Sequence, residues 1–438
     1  MASPRRNTEL SLLLLVVVIT AGAYTLASLG REATLPANIV PFLGIILGLL
    51  LVAHVATRRL APNADGMLLP LAGLLNGIGY VFIARLDDEL AALQAVWAML
   101  AVGAFVVTLV VVRRVRTLDR YRYTFMLIGI VLLLVPLVPG IGQTINGARI
   151  WASIGPVNFQ PGEFAKLALA IFLAAYLVEK RELLALSTFR IGPLHLPEPK
   201  HLGPLLLAWG ASVVVMTAER DLGSSLLFFT LFVALLWIAT ERSSYLLMSG
   251  VLFATGAVLA WTRFAHVQDR VDTWLDPWAD PKGSGFQVIE ASFSLANGGL
   301  TGTGLGLGNP DRIPVVETDF IFAAVGEELG LFGATAILMS YLLMIGAGLR
   351  IALNTDQPFE KLLAAGLTTL IGVQAFIIIA GVVRLLPLTG VTLPFVSYGG
   401  SSLLANYILL ALLLRISDES NARRRTGRPA REPQAVST

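Results

Sequence analysis

Residues 93–112, LQAVWAMLAVGAFVVTLVVV, form a run of 20 residues that contains no charged side chain. About 20 predominantly apolar residues are needed for a helix to cross the hydrocarbon core of a bilayer. A strand of a membrane barrel needs only about 9–11 residues and alternates in polarity, which this run does not do. The run is therefore predicted to be a transmembrane helix.

Eleven further apolar runs resemble it, so the chain is predicted to be an all-α polytopic membrane protein with twelve spans. Its composition agrees, because 55% of the 438 residues are hydrophobic and 14% are charged, whereas soluble domains carry about 25% charged residues. This excludes an ordinary soluble enzyme, and the lack of cysteine excludes disulfides and thiolate chemistry. The other runs are Leu10–Leu29, Ile39–Ala56, Met67–Ile83, Thr124–Val138, Glu163–Val178, Leu202–Thr217, Leu222–Ala239, Ser244–Trp261, Phe320–Leu349, Leu362–Val383 and Pro394–Leu414.

The distribution of basic residues predicts the orientation. With the N-terminus inside, the inside segments hold 22 of the 32 Lys and Arg residues, and the outside segments hold nine. Because short cytoplasmic loops are enriched in basic residues, we predict that both termini are cytoplasmic. Residues 416–438 form a polar, basic tail that is predicted to be disordered. The cluster Arg423–Arg425 in it either attracts anionic lipid or acts only as a topology signal.

Two outside segments, residues 139–162 and 264–318, exceed the length of ordinary connections. The second contains a helix-like stretch at Phe286–Phe293, followed by the glycine-rich run GGLTGTGLGLG at 298–308. Glycine at this density permits close backbone approach and can present N–H groups to an anion. Two interpretations stay open, a tight turn between membrane-associated pieces or a cradle for a diphosphate.

Ionisable residues at the spans are candidates for function, because each costs about 2.5–3.5 kcal/mol to insert. Glu163 and Lys166 share one helix face, either as part of a site or as a self-satisfying ion pair. Asp319 lies where the long loop re-enters the membrane, either as a first-turn acid behind an N-cap at Thr318 or as a general base. Arg384, near the outer end of a span, can snorkel to the interface.

Two more segments are candidates. The triplet Glu219–Asp221 between two spans is either functional or a solvated turn at the outer interface. Pro394–Ser402, PFVSYGGSS, predicts a broken or re-entrant start of the last span, because irregular backbone at that depth must be buried in protein or line a cavity. The alternative for this segment is a small-residue face for helix packing.

Seven motifs, in the right order over Met67–Arg415, resemble the SEDS family of shape, elongation, division and sporulation proteins. They are NGARIW at 146–151, FQPGEFAKLAL at 159–169, ERDLGSSLL at 219–227, WLDPWADPKGSGFQ at 274–287, GGLTGTGLGLG at 298–308, TDFIFAAVGEELG at 318–330 and TGVTLPFVSYGGSS at 389–402. The resemblance implies a SEDS fold with a ten-helix core at residues 67–415, which includes the large extracellular loop 264–318. Residues 1–66 then form an extra N-terminal transmembrane pair.

The resemblance also implies an enzyme, a peptidoglycan glycosyltransferase that polymerises lipid II on the outer face of the cytoplasmic membrane. The extra pair, with ERDLG, LTGVTLP and SSLLANY, resembles the elongation branch of actinomycetes more than the division branch. A division-type polymerase is one alternative. A lipid II flippase or other transporter is another, since intramembrane charges and broken helices also occur in carriers. A scaffold without chemistry is the third.

The family's catalytic carboxylate is the Asp of its TDFIF motif, which corresponds to Asp319. On this hypothesis Asp319 deprotonates the acceptor's sugar hydroxyl, which displaces undecaprenyl diphosphate with inversion. Arg149 and Lys166 are the candidates that stabilise the departing diphosphate, and Lys166 is expected to lower the pKa of Asp319. The other predicted substrate-binding residues are Glu163 and Asp221, which orient those cations, and Gln287, Ser397, Gly399 and Gly400.

The implied partners are lipid II, the undecaprenyl-linked glycan chain and a class B penicillin-binding protein (a transpeptidase), with no nucleic acid. A divalent cation, Mg²⁺ or Mn²⁺, at Asp319 or the diphosphate is the cofactor that the chemistry admits, although the sequence shows no ligand cluster. The chain departs from many relatives at Glu219–Arg220, where they have Gln-Pro, and at Ile378 and Arg384, where they have Asn and Gly.

Overall fold

The computed structural model of the chain describes residues 4–33, 39–145, 148–155, 157–185, 189–191, 194–196, 207, 210–211, 213–214 and 217–426. Within these residues, nine helices are long and apolar enough to cross a membrane. The chain is an all-α multi-pass membrane protein. Its α-helices are α1 (Pro4–Glu32), α2 (Ile39–Leu60), α3 (Leu68–Leu86), α4 (Asp88–Val111), α5 (Arg116–Asp119), α6 (Arg122–Leu134), α7 (Pro161–Ala185), α8 (Leu222–Thr240), α9 (Ser243–Arg263), α10 (Ala265–Leu275), α11 (Phe286–Gly298), α12 (Ile321–Asn354), α13 (Pro358–Val382) and α14 (Gly400–Thr426).

Most of the predicted spans coincide with these helices. The run Thr124–Val138 forms a shorter apolar helix, Arg122–Leu137, whose last turn is a 3₁₀ helix. The predicted span Leu202–Thr217 lies largely outside the described residues. The last span begins later than predicted, at Gly400, because the preceding residues form a turn in which Phe395 has a positive φ of 65°. The predicted irregular start is thus confirmed.

Helices α7, α13 and α14 are largely enclosed by the other helices. Buried residues cover nearly the whole circumference of α13, as expected for a helix that other helices surround. It packs against α12, α7 and α8, while α14 packs along α4 and α7. These three helices form the centre of the bundle, and the non-helical segments between helices meet at its ends.

A small antiparallel sheet occupies the segment before α7, and the sequence analysis did not predict it. Its strands are β1 (Gly142–Ile145), β2 (Ala148–Ile154) and β3 (Val157–Phe159), with Gln143 opposite Trp151 and Ser153 opposite Asn158. A two-stranded hairpin, β4 (Phe189–Ile191) and β5 (Leu194–Leu196), follows α7. Most of these strands have only three or four residues, and the seven-residue β2, ARIWASI, does not alternate strictly between apolar and polar side chains.

The N-terminal pair docks onto the core through α1. A Cβ on Gly77 of α3 would lie 2.4 Å from Oγ1 of Thr20, so the two helices approach as closely as glycine permits. Within the pair, Nδ1 of His54 lies 2.8 Å from Oε1 of Glu9, and both side chains are buried. The polar atoms that would cost free energy in lipid are therefore enclosed between helices.

The glycine-rich run is a tight turn around carboxylates of the chain itself. The amide of Gly306 donates to Oε2 of Glu328 at 2.9 Å, and that of Asn309 donates to Oε1 of Glu327 at 3.0 Å. Arg85 donates to the other oxygen of Glu328 at 2.6 Å and to the Gly308 carbonyl at 2.6 Å. Because Glu327 and Glu328 already engage these amides, the structure favours the turn over a diphosphate cradle.

The opposite end of the bundle holds a second polar network, formed by the α2–α3 connection and the ends of α12 and α14. Here α14 continues to Thr426, so the predicted disorder of the tail is wrong for residues 416–426, and residues 427–438 lie outside the described part. Arg423 donates to both oxygens of the buried Glu360, at 2.7 and 2.6 Å, and Asn63 donates to Asp418. These bonds give the polar residues of the tail fixed partners and explain the longer helix.

Substitution Glu360→Ala should lower the free energy of unfolding by about 1–3 kcal/mol, because it removes the two hydrogen bonds that join Arg423 to α13. The melting temperature in detergent should fall, and hydrogen exchange of residues 416–426 should accelerate. Lys361→Ala, at an exposed position one residue along α13, is the matched control and should change neither. Unchanged protection of residues 416–426 in Glu360→Ala would contradict the anchoring role.

Candidate active site

A cavity of about 220 Å³ lies where α10, α11, the end of α13 and the segment before α12 meet. Its lining combines apolar side chains with a few polar ones, as binding pockets generally do. Asp319 and Gln287 of the predicted set contribute to it, together with three charged residues that were not assigned to the site. Those three are Asp269, Arg270 and Arg384.

Asp319 lies two residues before α12 rather than in its first turn. The N-cap position is Phe320, without a side-chain cap, and the Thr318 hydroxyl donates to the carbonyl of Val315. The interpretation of Asp319 as a first-turn acid behind a Thr318 N-cap is therefore wrong. Asp319 stands on non-helical backbone, and its position depends on what holds that backbone.

The backbone before Asp319 is held by the irregular segment before α14. The buried hydroxyl of Ser397 donates to the carbonyl of Thr318 and accepts from the amide of Leu393 at 2.9 Å. The amide of Tyr398 donates to the carbonyl of Glu317 at 2.8 Å. Ser397, predicted to bind substrate, thus fixes the residue next to the candidate base.

Burial raises the pKa of the Asp319 carboxyl from its ordinary value of 3.8 to about 6. The Thr318 side chain and the Arg270 guanidinium lower the pKa in part, while the carboxylates of Glu317 and Asp221 raise it. A carboxyl with this pKa is ionised at neutral pH and is more basic than a surface carboxylate. It is therefore suited to accept a proton.

Arg270 is the cation that the sequence analysis missed. It lies on α10 and donates to the carbonyl of Leu388 at 3.1 Å. Gly390, with a positive φ of 73°, lies between the two groups, since its ideal Cβ would be 3.8 Å from both Nη2 of Arg270 and Oδ2 of Asp319. Asp269 and Asp272 lie on the same helix and give α10 the composition of a solvated surface helix. For this reason the sequence alone did not indicate that Arg270 belongs to the site.

Lys166 does not act on Asp319 as predicted. Its ammonium lies 2.5 Å from Oε2 of Glu163 and 2.8 Å from Oε1 of Gln374, and both charged side chains are buried. Gln374 in turn donates to the carbonyl of Thr392 at 2.9 Å. Arg270, not Lys166, is the cation that lowers the pKa of Asp319, so that expectation is corrected.

Asp221 is brought into the electrostatic surroundings of the site. Its side chain caps α8 by accepting from the Ser224 amide at 3.0 Å. Burial raises its pKa, and the charges of Arg270 and Glu163 act on it. Burial also raises the pKa of the neighbouring Glu219 to about 8. The side chains of Glu219 and Asp221 are buried, so these carboxylates are not part of a solvated turn, whereas Arg220 is exposed.

The other predicted site residues lie at varying positions. Gln287 lines the cavity and donates to the carbonyl of Pro314 at 3.0 Å. Arg149 lies on β2, donates to the carbonyl of Pro136 at 2.9 Å and does not line the cavity. A Cβ on Gly400 would lie 2.0 Å from the Trp97 ring, and one on Gly399 would lie 3.3 Å from Thr392. These two glycines permit close packing beside the site.

Comparison with known proteins identifies the family. The model of the FtsW/RodA/SpoVE family, described as cell cycle proteins, matches residues 77–422. The chain belongs to this family. It is 47% identical to peptidoglycan glycosyltransferase RodA of Mycobacterium tuberculosis over 424 aligned residues, which cover 94% of this chain and 90% of the relative. It is 35% identical to stage V sporulation protein E of Bacillus subtilis, over 67% of this chain and 77% of that protein.

Solved structures of family members share the fold. The rod shape determining protein RodA of Thermus thermophilus matches with a TM-score of 0.59 and 26% identity, over 81% of this chain and 96% of that one. A chain from a peptidoglycan synthase complex that coordinates polymerization and crosslinking matches with a TM-score of 0.67 and 28% identity, over 82% and 98%. The predicted SEDS fold is thereby confirmed.

Substitution Asp319→Asn should raise the melting temperature at pH 7.5. Because the pKa of Asp319 is higher in the folded chain (about 6) than in the unfolded chain, ionising this carboxyl costs stability above pH 6 and costs none below about pH 4. The melting temperatures of the variant and the wild type should therefore converge as the pH falls to 4. Asp272→Asn, at an exposed position on α10, should show no such pH-dependent gain.

Proposed function

We propose that this chain is a peptidoglycan glycosyltransferase that polymerises lipid II during cell elongation. The 47% identity to a RodA across nearly the full length of both chains supports the elongation type, since the FtsW relatives are more distant, at 33–37% identity over 65–77% of this chain. The observation that supports the chemistry is the Asp319 carboxyl, which lines the cavity with a pKa of about 6. A general base needs this basicity at neutral pH.

In the proposed mechanism, Asp319 accepts the proton of the acceptor's sugar hydroxyl. The oxygen then attacks the anomeric carbon of the lipid-linked donor chain, and the bond to undecaprenyl diphosphate breaks with inversion. One base and a good leaving group are sufficient for this displacement, so no covalent enzyme intermediate is needed. General-base catalysis of this kind contributes typically about 10²–10⁴-fold to the rate.

The departing diphosphate requires positive charge near it. Of the two cations predicted for this task, Lys166 is neutralised by Glu163 and Arg149 lies on the sheet outside the cavity. Arg270 lines the cavity itself. We therefore assign Glu163 and Lys166 a positioning role. Lys166 donates to Gln374, and Gln374 donates to the carbonyl of Thr392, so the ion pair is linked to the backbone beside the irregular segment.

A divalent cation is assigned no step in this mechanism. Among the described residues, no three histidine, aspartate or glutamate side chains are grouped so that they could hold a metal. Mg²⁺ or Mn²⁺ would therefore be bound chiefly by the diphosphate of the substrate.

We also propose that the active site faces the extracytoplasmic side and that both termini are cytoplasmic. The start of α1, the α2–α3 connection and the ends of α12 and α14 line one common pocket at the end of the bundle remote from Asp319. That end carries the basic cluster Arg423–Arg425, as the positive-inside rule requires. The relative from a synthase complex that coordinates polymerization with crosslinking supports a class B penicillin-binding protein as partner.

Purified wild-type protein should convert labelled lipid II into glycan polymer, with and without a class B penicillin-binding protein in parallel reactions. Asp319→Asn should lower the rate at least 10²-fold, because the base is removed, while it inserts and melts as a folded protein. Asp272→Asn should keep the wild-type rate. Flipping of lipid II in vesicles without polymer would instead indicate a transporter, and full polymer from Asp319→Asn would exclude Asp319 as the base.

The rate should depend on pH through Asp319. Because the carboxylate is the active form, kcat/KM should fall as the pH drops below about 6. Removal of the Arg270 charge by Arg270→Gln should raise the pKa of Asp319 and shift this acid limb to higher pH, whatever its effect on the maximal rate. Arg350→Gln, remote from the cavity, should leave the limb in place. An unshifted limb in Arg270→Gln would contradict the electrostatic role of Arg270.

A further inference from the structure

Two guanidinium groups line the cavity without a carboxylate partner. Arg270 donates to the carbonyl of Leu388 and Arg384 donates to the carbonyl of Trp274 at 3.2 Å, and within the described residues neither has an ion pair within 4.0 Å. Two arginines elsewhere in the bundle, whose side chains are largely buried, do form ion pairs. Arg85 pairs with Glu328 at 2.6 Å, and Arg415 pairs with Asp418 at 3.5 Å. Among the described residues, neither guanidinium of the cavity is thus neutralised by a direct ion pair, while the carboxylates of Asp269 and Asp319 line the same cavity.

Arg384 is held in place from two directions. The indole Nε1 of Trp274 donates to the carbonyl of Arg384 at 3.0 Å, while Nη2 of Arg384 donates back to the carbonyl of Trp274. The backbone of Arg384 has a positive φ of 60°, which is uncommon for a residue other than glycine. Its Nε is buried and has no hydrogen-bond partner among the described residues. A buried donor without a partner is costly unless a ligand satisfies it.

The position of Arg384 suits a lipid-linked anion. It lies just past the end of α13, between Val383 and Leu385, whose apolar side chains are 47% and 61% exposed. A polyprenyl diphosphate places its charged group at the membrane boundary and its hydrocarbon chain in the bilayer. Guanidinium groups bind phosphate oxygens through paired, charge-assisted hydrogen bonds, and two such groups match two linked phosphates.

We infer that Arg384 binds the diphosphate of the polyprenyl-linked substrate and shares it with Arg270 in the cavity that contains Asp319. This inference deepens the proposed function and rests on it for the identity of the substrate. Snorkelling of Arg384 to the interface is then not its main role.

The test compares farnesyl diphosphate, farnesyl monophosphate and farnesol as non-reacting probes of the purified chain in detergent. The wild type should bind the diphosphate more tightly than the monophosphate. Arg384→Gln should weaken diphosphate binding about ten- to hundred-fold, the range expected for loss of a charged hydrogen bond, and reduce the preference for diphosphate over monophosphate. With lipid II, the variant should show a raised KM.

Controls separate binding from structure. Arg384→Lys retains the charge and should restore part of the diphosphate preference, whereas Arg350→Gln, at the remote end of the bundle, should leave it unchanged. Melting temperatures check that each variant is folded. An Arg384→Gln protein that is folded and keeps the wild-type preference would overturn the inference.

The same experiment distinguishes the inference from the proposed function. If the wild type polymerises lipid II but Arg384→Gln behaves like the wild type, only the assignment of Arg384 fails. If the wild type shows the Arg384-dependent preference for diphosphate and makes no polymer under any condition, the proposed polymerase fails and the anion site stands.

Discussion

Two stretches of non-helical backbone lie side by side within the bundle, and each supplies the hydrogen bonds that the other lacks. The hydroxyl of Ser397 joins the carbonyl of Thr318 to the amide of Leu393, and the amide of Tyr398 reaches the carbonyl of Glu317. Hydrocarbon offers no water to satisfy such groups, so irregular backbone persists only where protein replaces the water. The position of Asp319 depends on this mutual satisfaction.

The acidic residues of the bundle divide into two classes by how they are balanced. Glu163, Glu328 and Glu360 each contact a lysine or arginine at 2.5–2.6 Å. The pairs of Glu328 and Glu360 each join two helices, whereas Glu163 pairs with Lys166 on the same helix. Asp319 has no such direct partner among the described residues, and Arg270 acts on it only through the electrostatic field. The paired glutamates stabilise the fold. Because the Asp319 carboxylate has no direct cationic partner in the described part of the chain, it can accept a proton, as a general base must.

The transmembrane architecture could be predicted from the sequence because apolar length is a local property. Asp319 and the irregular start at Pro394–Ser402 were also predictable, since a charge or a proline with glycines at a span boundary conflicts with its surroundings. Arg270 was not, because a cation on an amphipathic helix has the appearance of a solvated residue until the fold places it beside Gly390. The partner Gln374 of Lys166 lies too far along the chain for any spacing rule to link them.

The helical extension at the end of the chain and the sheet before α7 escaped prediction for a related reason. Residues 416–426 are polar and basic, and their contacts with other segments, such as those with Glu360 and Asn63, stabilise a helix there. The strands of the sheet are stabilised by pairing with each other rather than by any pattern within one strand. In both places, tertiary partners outweigh local composition.

The close approach of α1 to the glycine-rich turn has a consequence for biogenesis. A Cβ on Gly30 would lie 2.2 Å from the carbonyl oxygen of Leu305, and one on Gly306 would lie 2.2 Å from that of Ala27. Helix α1 therefore forms part of the surface against which residues 305–306 pack. The face that carries the active site can reach its final shape only after most of the chain has been made and inserted.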